Sequence, residues 1–256
     1  RLITSAGTIK RTYRVPSSMW NGVKALESKQ PCLIVDIEGL RGFSATQIVD
    51  TLKPAWPQLR AATIDVPSEN RLGPKYAEHI ARALQVESAR REIADAIRPH
   101  VASSAFVGLP AILGIHEIET VREDLERMLG VPIFEIPTMP PSISGTRLKE
   151  AFDMHMPRQG VTTLYHHRVH SVDRQKDGSF RLEAGRTEPE KTVLAGNVLL
   201  ATGRFLGKGL EPRREGIREA IFDIPVSQPE NRSCWHRELF LDPRGHAINL
   251  AGIEVD

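Results

Sequence analysis

Only two cysteines occur in this sequence, Cys32 and Cys234, and they stand far apart. That scarcity excludes a disulfide scaffold, gives no metal-binding spacing and suits a reducing cytoplasm. No apolar run approaches the about 18 residues needed to cross a bilayer, so direct membrane insertion is not expected. Neither sign of charge dominates: the formal net charge is +2, which argues against nucleic acid as the main partner. A Gly-x-Gly-x-x-Gly strand–turn–helix, the device that holds a dinucleotide pyrophosphate on a helix N-terminus, is missing. So is the Gly-x-Ser-x-Gly elbow of serine hydrolases. The chain starts at Arg1 with no signal peptide before it, which reads as an excerpt or a processed piece.

What is present is ordinary soluble-protein composition. The 256 residues are 40% hydrophobic and 26% charged, enough for one large or two modest domains with real cores. Residues 1–30 are polar and irregular and read as a weak strand or two, a lead-in from an absent N-terminal segment. From Pro31 the grammar changes. Cys32–Ile37 is a β-branched apolar run of the kind that forms a buried parallel strand. Ser44 and Gln47 then make a capping pair for a helix ending near Pro54. Ala61–Val66 reads as the next strand. Two helices follow, one opened by Pro74 and carrying Tyr76, Ile80 and Leu84, the other carrying Ile93, Ala94 and Ile97. A strand end at Ala105–Leu113, a helix capped by Thr120 and Glu123 and stopped by Gly130, and a strand at Ile133–Ile136 complete an α/β layer over 31–137.

Beyond Pro137 a Pro-rich loop precedes a helix carrying Leu148, Phe152 and Met156, which Gly160 ends. Residues 161–200 predict antiparallel strands at Val161–Tyr165, Val169–Arg174, Phe180–Ala184 and Val198–Ala201, with a turn at Asp177-Gly178. The last of these ends in Ala201-Thr202-Gly203, where small residues let a backbone approach a ligand closely; an ordinary strand followed by a Gly-rich turn is the plain alternative. Arg204 and Lys208 follow, either as holders of an anionic ligand or as solvated turn charges. His166 and His170 would share a strand face with His167 opposite, and no carboxylate or cysteine completes a metal set. His116 is a lone histidine in a turn, a proton shuttle or a structural residue.

The hairpin leading into Ala-Thr-Gly resembles the C-terminal half of the flavin-binding domain in flavoproteins of the succinate dehydrogenase/fumarate reductase type. Ile248–Gly252 (INLAG) is similar to their second flavin-facing strand. Ile37–Phe43 (IEGLRGF), Gly108–Gly114 (GLPAILG) and Phe134–Leu148 (FEIPTMPPSISGTRL) resemble, in order and spacing, the B subunit of the anaerobic glycerol-3-phosphate dehydrogenases. Together with the Ala-Thr-Gly strand these stretches cover roughly 31–252.

The resemblance implies an α/β, FAD/NAD(P)-binding-like flavoprotein fold, incomplete, with an inserted α/β substrate or cap domain at 31–137. Residues 138–256 would be the C-terminal part of the flavin-binding domain. It further implies FMN or FAD as cofactor, held by Val169, Ala201, Thr202, Gly203, Arg204, Ala251 and Gly252. The implied reaction is oxidation of glycerol 3-phosphate to dihydroxyacetone phosphate, with electrons passing towards quinone. The implied partners are a catalytic A subunit and a membrane-anchoring iron–sulfur C subunit, which places the chain in the cytoplasm, peripheral to the inner membrane through a partner. Within this frame Ser142, Ser144, Gly145 and Arg147, with Lys208, read as a substrate or anion site: prolines pre-set the loop, a helix starts near Thr146, and Arg147 supplies a forked donor. A Pro-rich connector in which Ser144 merely caps a helix is the simpler alternative, and Glu135 reads as a structural or surface carboxylate. Two rival functions stand beside this one, a non-catalytic domain docking onto a dehydrogenase subunit and another flavin-dependent dehydrogenase.

Overall fold

The computed structural model describes residues 1–66, 75–239 and 246–253. Pro74 and residues 254–256 lie outside the described residues. Two compact units divide between His155 and Met156, whereas the change of sequence grammar falls at Pro137.

The first unit is built on four parallel strands in the order β4-β3-β5-β6. They are β3 (Cys32–Ile37), β4 (Leu59–Ile64), β5 (Phe106–Pro110) and β6 (Ile133–Ile136). Helices α2 (Ala45–Leu52), α3 (Ala77–Ala83), α4 (Glu87–Ile97) and α5 (Ile118–Leu129) connect them, and α6 (Ile143–His155) follows β6. Strands covered on both faces need near-continuous apolar sequence, and β3 and β6 meet that demand: Ile34, Val35, Ile133 and Phe134 are buried. The sheet turns direction between β3 and β5, the switch point beside which open α/β sheets bind ligands.

Local chemistry fixes the helix starts. Ser44 caps α2, its side chain accepting from the Gln47 amide. Asp36 accepts from the Ile37 and Ala45 amides at 2.8 and 3.0 Å; burial nevertheless pushes its carboxyl above the ordinary range, the two amides only partly opposing this. Gly130 ends α5 in the left-handed region at φ 72°, where a Cβ is disfavoured.

Three expectations fail in this unit. Residues 1–30 hold not only the short pair β1 (Leu2–Ile3) and β2 (Ile9–Lys10) but a helix, α1 (Trp20–Ser28). Its Gly22 lies under Phe134, whose Cδ2 would be 2.5 Å from an added Cβ; the helix is held by close approach, which apolar periodicity does not display. α5 starts at Ile118 with Glu117 as cap residue and no side-chain cap bond, so Thr120 and Glu123 lie inside the helix. α6 begins at Ile143, ahead of Thr146, because Ser142 and not Ser144 supplies the capping oxygen, accepting from the Gly145 amide at 3.2 Å.

The second unit has an antiparallel meander, β7 (Arg168–Arg174), β8 (Phe180–Gly185) and β9 (Lys191–Ala195). Two small pairs accompany it: β10 (Leu210–Pro212) with β11 (Ile217–Glu219), and β12 (Val226–Ser227) with β13 (Gly252–Ile253). Leu210, Ile217, Trp235 and Ala251 form its buried cluster, with Phe205, Val226 and Ile248 against it.

The predicted strands Val161–Tyr165 and Val198–Ala201 are absent as strands. Gly160 (φ 73°) closes a short 3-10 turn, and the Val161 amide folds back onto the Met156 carbonyl, which removes the first from any ladder. The third place in the meander is taken by Lys191–Ala195, registered against Phe180–Ala184, so 198–201 has no strand beside it among the described residues.

Candidate functional site

Glu135 sits on β6 with its carboxylate fully buried, and three elements converge on it. Ser18 donates to Oε2 at 2.7 Å, the Leu113 amide donates to Oε1 at 2.7 Å, and Arg147 on α6 bonds both oxygens at 2.6 and 2.9 Å. Arg147 also gives Nε and Nη2 to the Gly114 carbonyl at 3.0 and 2.5 Å. A buried carboxylate demands such a complement of donors. The forked guanidinium expected to grip an anionic substrate is therefore spent inside the protein, and Arg147 is corrected from ligand-binding residue to clamp. It pins the start of α6 to the carboxyl ends of β5 and β6.

Of the other anion-site residues, Ser142 and Gly145 meet at the first turn of α6, joined by the cap bond. Ser144 Oγ is buried there without a hydrogen-bond partner, as is Thr138 Oγ1 on the preceding loop. Lys208 belongs to the other unit and is exposed, in the left-handed region at φ 59°.

Beside the start of α6 lies a cleft of about 330 Å³, lined by Arg41 and Gly42 after β3, Tyr76 and His79 at α3, and Met139–Ile143 with Thr146. The Arg41 guanidinium stands 5.9 Å from the Tyr76 ring centre, and Tyr76 meets His79 edge-on at 5.8 Å. All of these residues follow the carboxyl ends of the strands. Arg41 carries no joint signal with Tyr76 and His79 in the sequence because it comes from the loop after β3 and they from the start of α3; the one available pointer is the unusual IEGLRGF run, which contains Arg41.

In the second unit the two stretches predicted to face flavin come together. Arg204 Nη2 donates to the Ile248 carbonyl at 2.6 Å, tying the Ala-Thr-Gly run to Ile248–Gly252. Its guanidinium also lies over the Phe205 ring at 5.4 Å. The turn after Thr202 is wound tightly on itself: a Cβ at Gly207 would come within 2.2 Å of the Thr202 carbonyl oxygen, and one at Gly209 within 2.3 Å of Thr202 Oγ1. Gly203, at φ 71°, meets nothing within 4 Å of where its Cβ would be. Ala201 and Gly203 are exposed, so an open, side-chain-poor length of backbone is held by a rigid turn. That surface fits the close approach of a flavin nucleotide. Ala251 is buried in the cluster and Gly252 pairs with Ser227, while Val169 lies beside a bulge in β7.

The histidines take separate places. His166 lies outside the strand at φ 60°, not on a face shared with His170. His167 Nε2 stands 3.7 Å from Glu190, and His116, exposed, stands 3.5 Å from Glu150. Among the described residues no three of His, Cys, Asp or Glu group as a metal site. No helix among them is long and apolar enough to cross a membrane.

A protein of Halobacterium salinarum, named as the probable B subunit of an anaerobic glycerol-3-phosphate dehydrogenase, is 28% identical over 99% of this chain. Proteins of Aliivibrio fischeri and Vibrio cholerae named as the B subunit of the same enzyme are 25% and 27% identical, again over 99% of it. The chain spans about 60% of the length of these relatives. The resemblance carried by FEIPTMPPSISGTRL thus extends along the whole chain. The model of the FAD binding domain family matches residues 2–256, which brings both converging stretches within one match and names FAD where the sequence left FMN or FAD. By that match, this chain belongs to the FAD binding domain family.

Proposed function

We propose that this chain is part of the flavoprotein B subunit of an anaerobic glycerol-3-phosphate dehydrogenase, which oxidises glycerol 3-phosphate to dihydroxyacetone phosphate and passes electrons towards quinone. The observation that carries the proposal is the 2.6 Å bond from Arg204 to the Ile248 carbonyl, which joins the two stretches that the sequence reads as flavin-facing. Membership of the FAD binding domain family and the names of the relatives support it.

In this account Ala201, Thr202, Gly203 and Arg204, with Ala251, Gly252 and Val169, hold the flavin nucleotide. A flavin held there would supply the hydride acceptor, and these residues would contribute its position and electrostatics. The Arg204 guanidinium keeps the two stretches in register and leaves the backbone at Gly203 open to the cofactor. Residues 31–137 serve as the inserted cap, and 138–256 as the C-terminal part of the flavin-binding domain. The partners are a catalytic A subunit and an iron–sulfur C subunit that anchors the complex, so the chain works in the cytoplasm at the inner membrane. Anaerobic addition of glycerol 3-phosphate to the assembled full-length complex tests the reaction: the flavin bands should bleach, and bands that persist would overturn it.

A second role is favoured by one feature of α6. Leu148 and Phe152, one turn apart, are 61% and 50% exposed, an apolar pair suited to docking on a dehydrogenase subunit. If docking is the whole function, Leu148→Asp abolishes co-purification with the A subunit and the full-length protein carries no flavin.

A further inference from the structure

We propose that the surface carried by residues 10–24 rests on an anionic lipid bilayer, with Arg11, Arg14 and Lys24 as its cations and Tyr13 and Trp20 as its interfacial aromatics. The stretch from Arg1 to Leu26 holds five basic residues, Arg1, Lys10, Arg11, Arg14 and Lys24, and no Asp or Glu, in a chain whose formal net charge is only +2. Helix α1 buries Gly22, Val23, Ala25 and Leu26, which leaves Trp20 and Lys24, one turn apart, on its outer side. Trp20 is 52% exposed and Tyr13 94%. One exposed aromatic is ordinary; two of them beside an unopposed run of cations mark a surface that meets a partner.

The chemistry of the surface selects a bilayer. The Arg14 guanidinium lies 5.7 Å from the Tyr13 ring centre, and the Thr12 hydroxyl donates to the Arg14 carbonyl at 2.8 Å, so ring and cation are presented as a pair. Val15 leads from them into a groove of about 490 Å³ that Trp20, Asn21 and Lys24 also line. The carboxylate of that groove, Glu119, is engaged, accepting from Ser17 at 2.5 Å and from Arg122 at 2.7 Å. Glu27, exposed one turn beyond Lys24, is followed by the exposed Lys29. Lys10, Arg11, Arg14 and Lys24 are exposed and enter no salt bridge among the described residues. Each such cation is worth about fivefold in partition onto an anionic leaflet, and Tyr and Trp set an apolar ring and a polar tip at the headgroup level. Nucleic acid calls for a strongly basic domain, which a near-balanced chain does not supply. A protein interface keeps Lys out of its centre, whereas here cations alternate with the rings along the chain.

This assignment does not rest on the proposed function. Co-sedimentation of the full-length protein with lipid vesicles tests it. Vesicles of equal parts phosphatidylglycerol and phosphatidylcholine should carry the protein down, phosphatidylcholine alone should not, and high salt should release it. Arg11→Gln with Arg14→Gln should weaken binding about tenfold or more, two cations at about fivefold each, while Arg91→Gln on α4 should change nothing. All three side chains are exposed, so these variants keep the fold. Unmodified protein provides a second measurement: the mixed vesicles should shift tryptophan emission to the blue, a shift missing from Trp20→Phe, because Trp56 and Trp235 are buried. No binding, equal binding to both kinds of vesicle, an unshifted emission, or a double variant that binds like wild type would overturn the proposal. So would tighter binding to a DNA duplex than to the mixed vesicles, which would give the surface to nucleic acid. A double variant that keeps the vesicles and loses the A subunit in co-purification would give it to a protein partner instead. Vesicle binding by a protein without flavin or turnover would defeat the proposed function and leave the bilayer surface standing.

Discussion

The two units are held together by different means. The first buries a continuous core that includes Trp56, Phe134, Ile34 and Leu109 between a parallel sheet and its helices. The second has a cluster of four buried residues and leaves large apolar side chains in solvent, with Leu199 and Leu206 90% and 91% exposed. Its segments are positioned by tight turns and by single bonds such as Arg204 to Ile248. The first unit can therefore absorb local changes through its packing, while the shape of the second depends on a few polar contacts and glycines. The candidate flavin surface lies in the unit that depends on turns, and the cleft beside Arg41 and Tyr76 in the one that depends on packing.

The largest effect is expected at Glu135. Its removal by Glu135→Ala leaves Arg147 buried and unpaired, and the first unit should lose about 3–5 kcal/mol, measured by denaturant unfolding followed at its tryptophans. Replacing both partners with apolar residues, Glu135→Leu with Arg147→Met, should recover most of that loss; no recovery would mean that the pair does more than neutralise itself. Gly108→Ala comes next. An added Cβ would meet Phe134 Cζ at 2.7 Å and Ile34 Cδ1 at 2.8 Å, so the same unit should lose about 1–3 kcal/mol through overpacking; a neutral result would show that the core is looser than described.

In the second unit Arg204→Ala should cost about 1.5 kcal/mol through loss of the bond to Ile248, and should release flavin without shifting unfolding of the first unit. A shift in both units would contradict their separate means of support.

The smallest effect is at Glu119, whose carboxyl is held below the ordinary glutamate range by the Ser17 hydroxyl and then Arg122. A depressed folded value stabilises above the unfolded value and is lost as pH falls through the folded one. Ser17→Ala should therefore remove about 0.5 kcal/mol at neutral pH, a magnitude limited by solvent, and flatten the acid limb of the stability profile. An unchanged acid limb would remove Glu119 from that account.

Much of the first unit was legible because its forces are local or periodic. Cys32–Ile37 and Ile133–Ile136 are observed with the predicted bounds, since strands buried on both faces leave little sequence ambiguity. The Ser44 cap and the Gly130 stop are short-range rules with one geometric solution each. What stayed hidden depends on distant partners. Nothing near Arg147 in sequence shows that Gly114 and Glu135 will consume its donors, although Glu135 in the middle of an apolar strand was a hint that a cation must meet it. Gly22 under Phe134 is likewise a contact across the fold. In the second unit, Lys191–Ala195 competes with Val198–Ala201 for one place beside β8, and composition does not decide between them. The site fared similarly. Ala201-Thr202-Gly203 and Ile248–Gly252 were visible as motifs, whereas Arg41 joined Tyr76 and His79 only once folding placed the loop after β3 beside the start of α3.

The central claim is that the backbone at Ala201–Gly203 is the surface this chain offers to FAD. Flavin content of the purified full-length protein, read from its visible absorbance, tests it in wild type and in Ala201→Trp, which sets a bulky side chain on that exposed backbone without altering the core. Wild type should be yellow and Ala201→Trp should lose its flavin while unfolding at the same midpoint. A colourless wild type that takes up neither FMN nor FAD, or an Ala201→Trp protein that keeps its full flavin, would contradict the account.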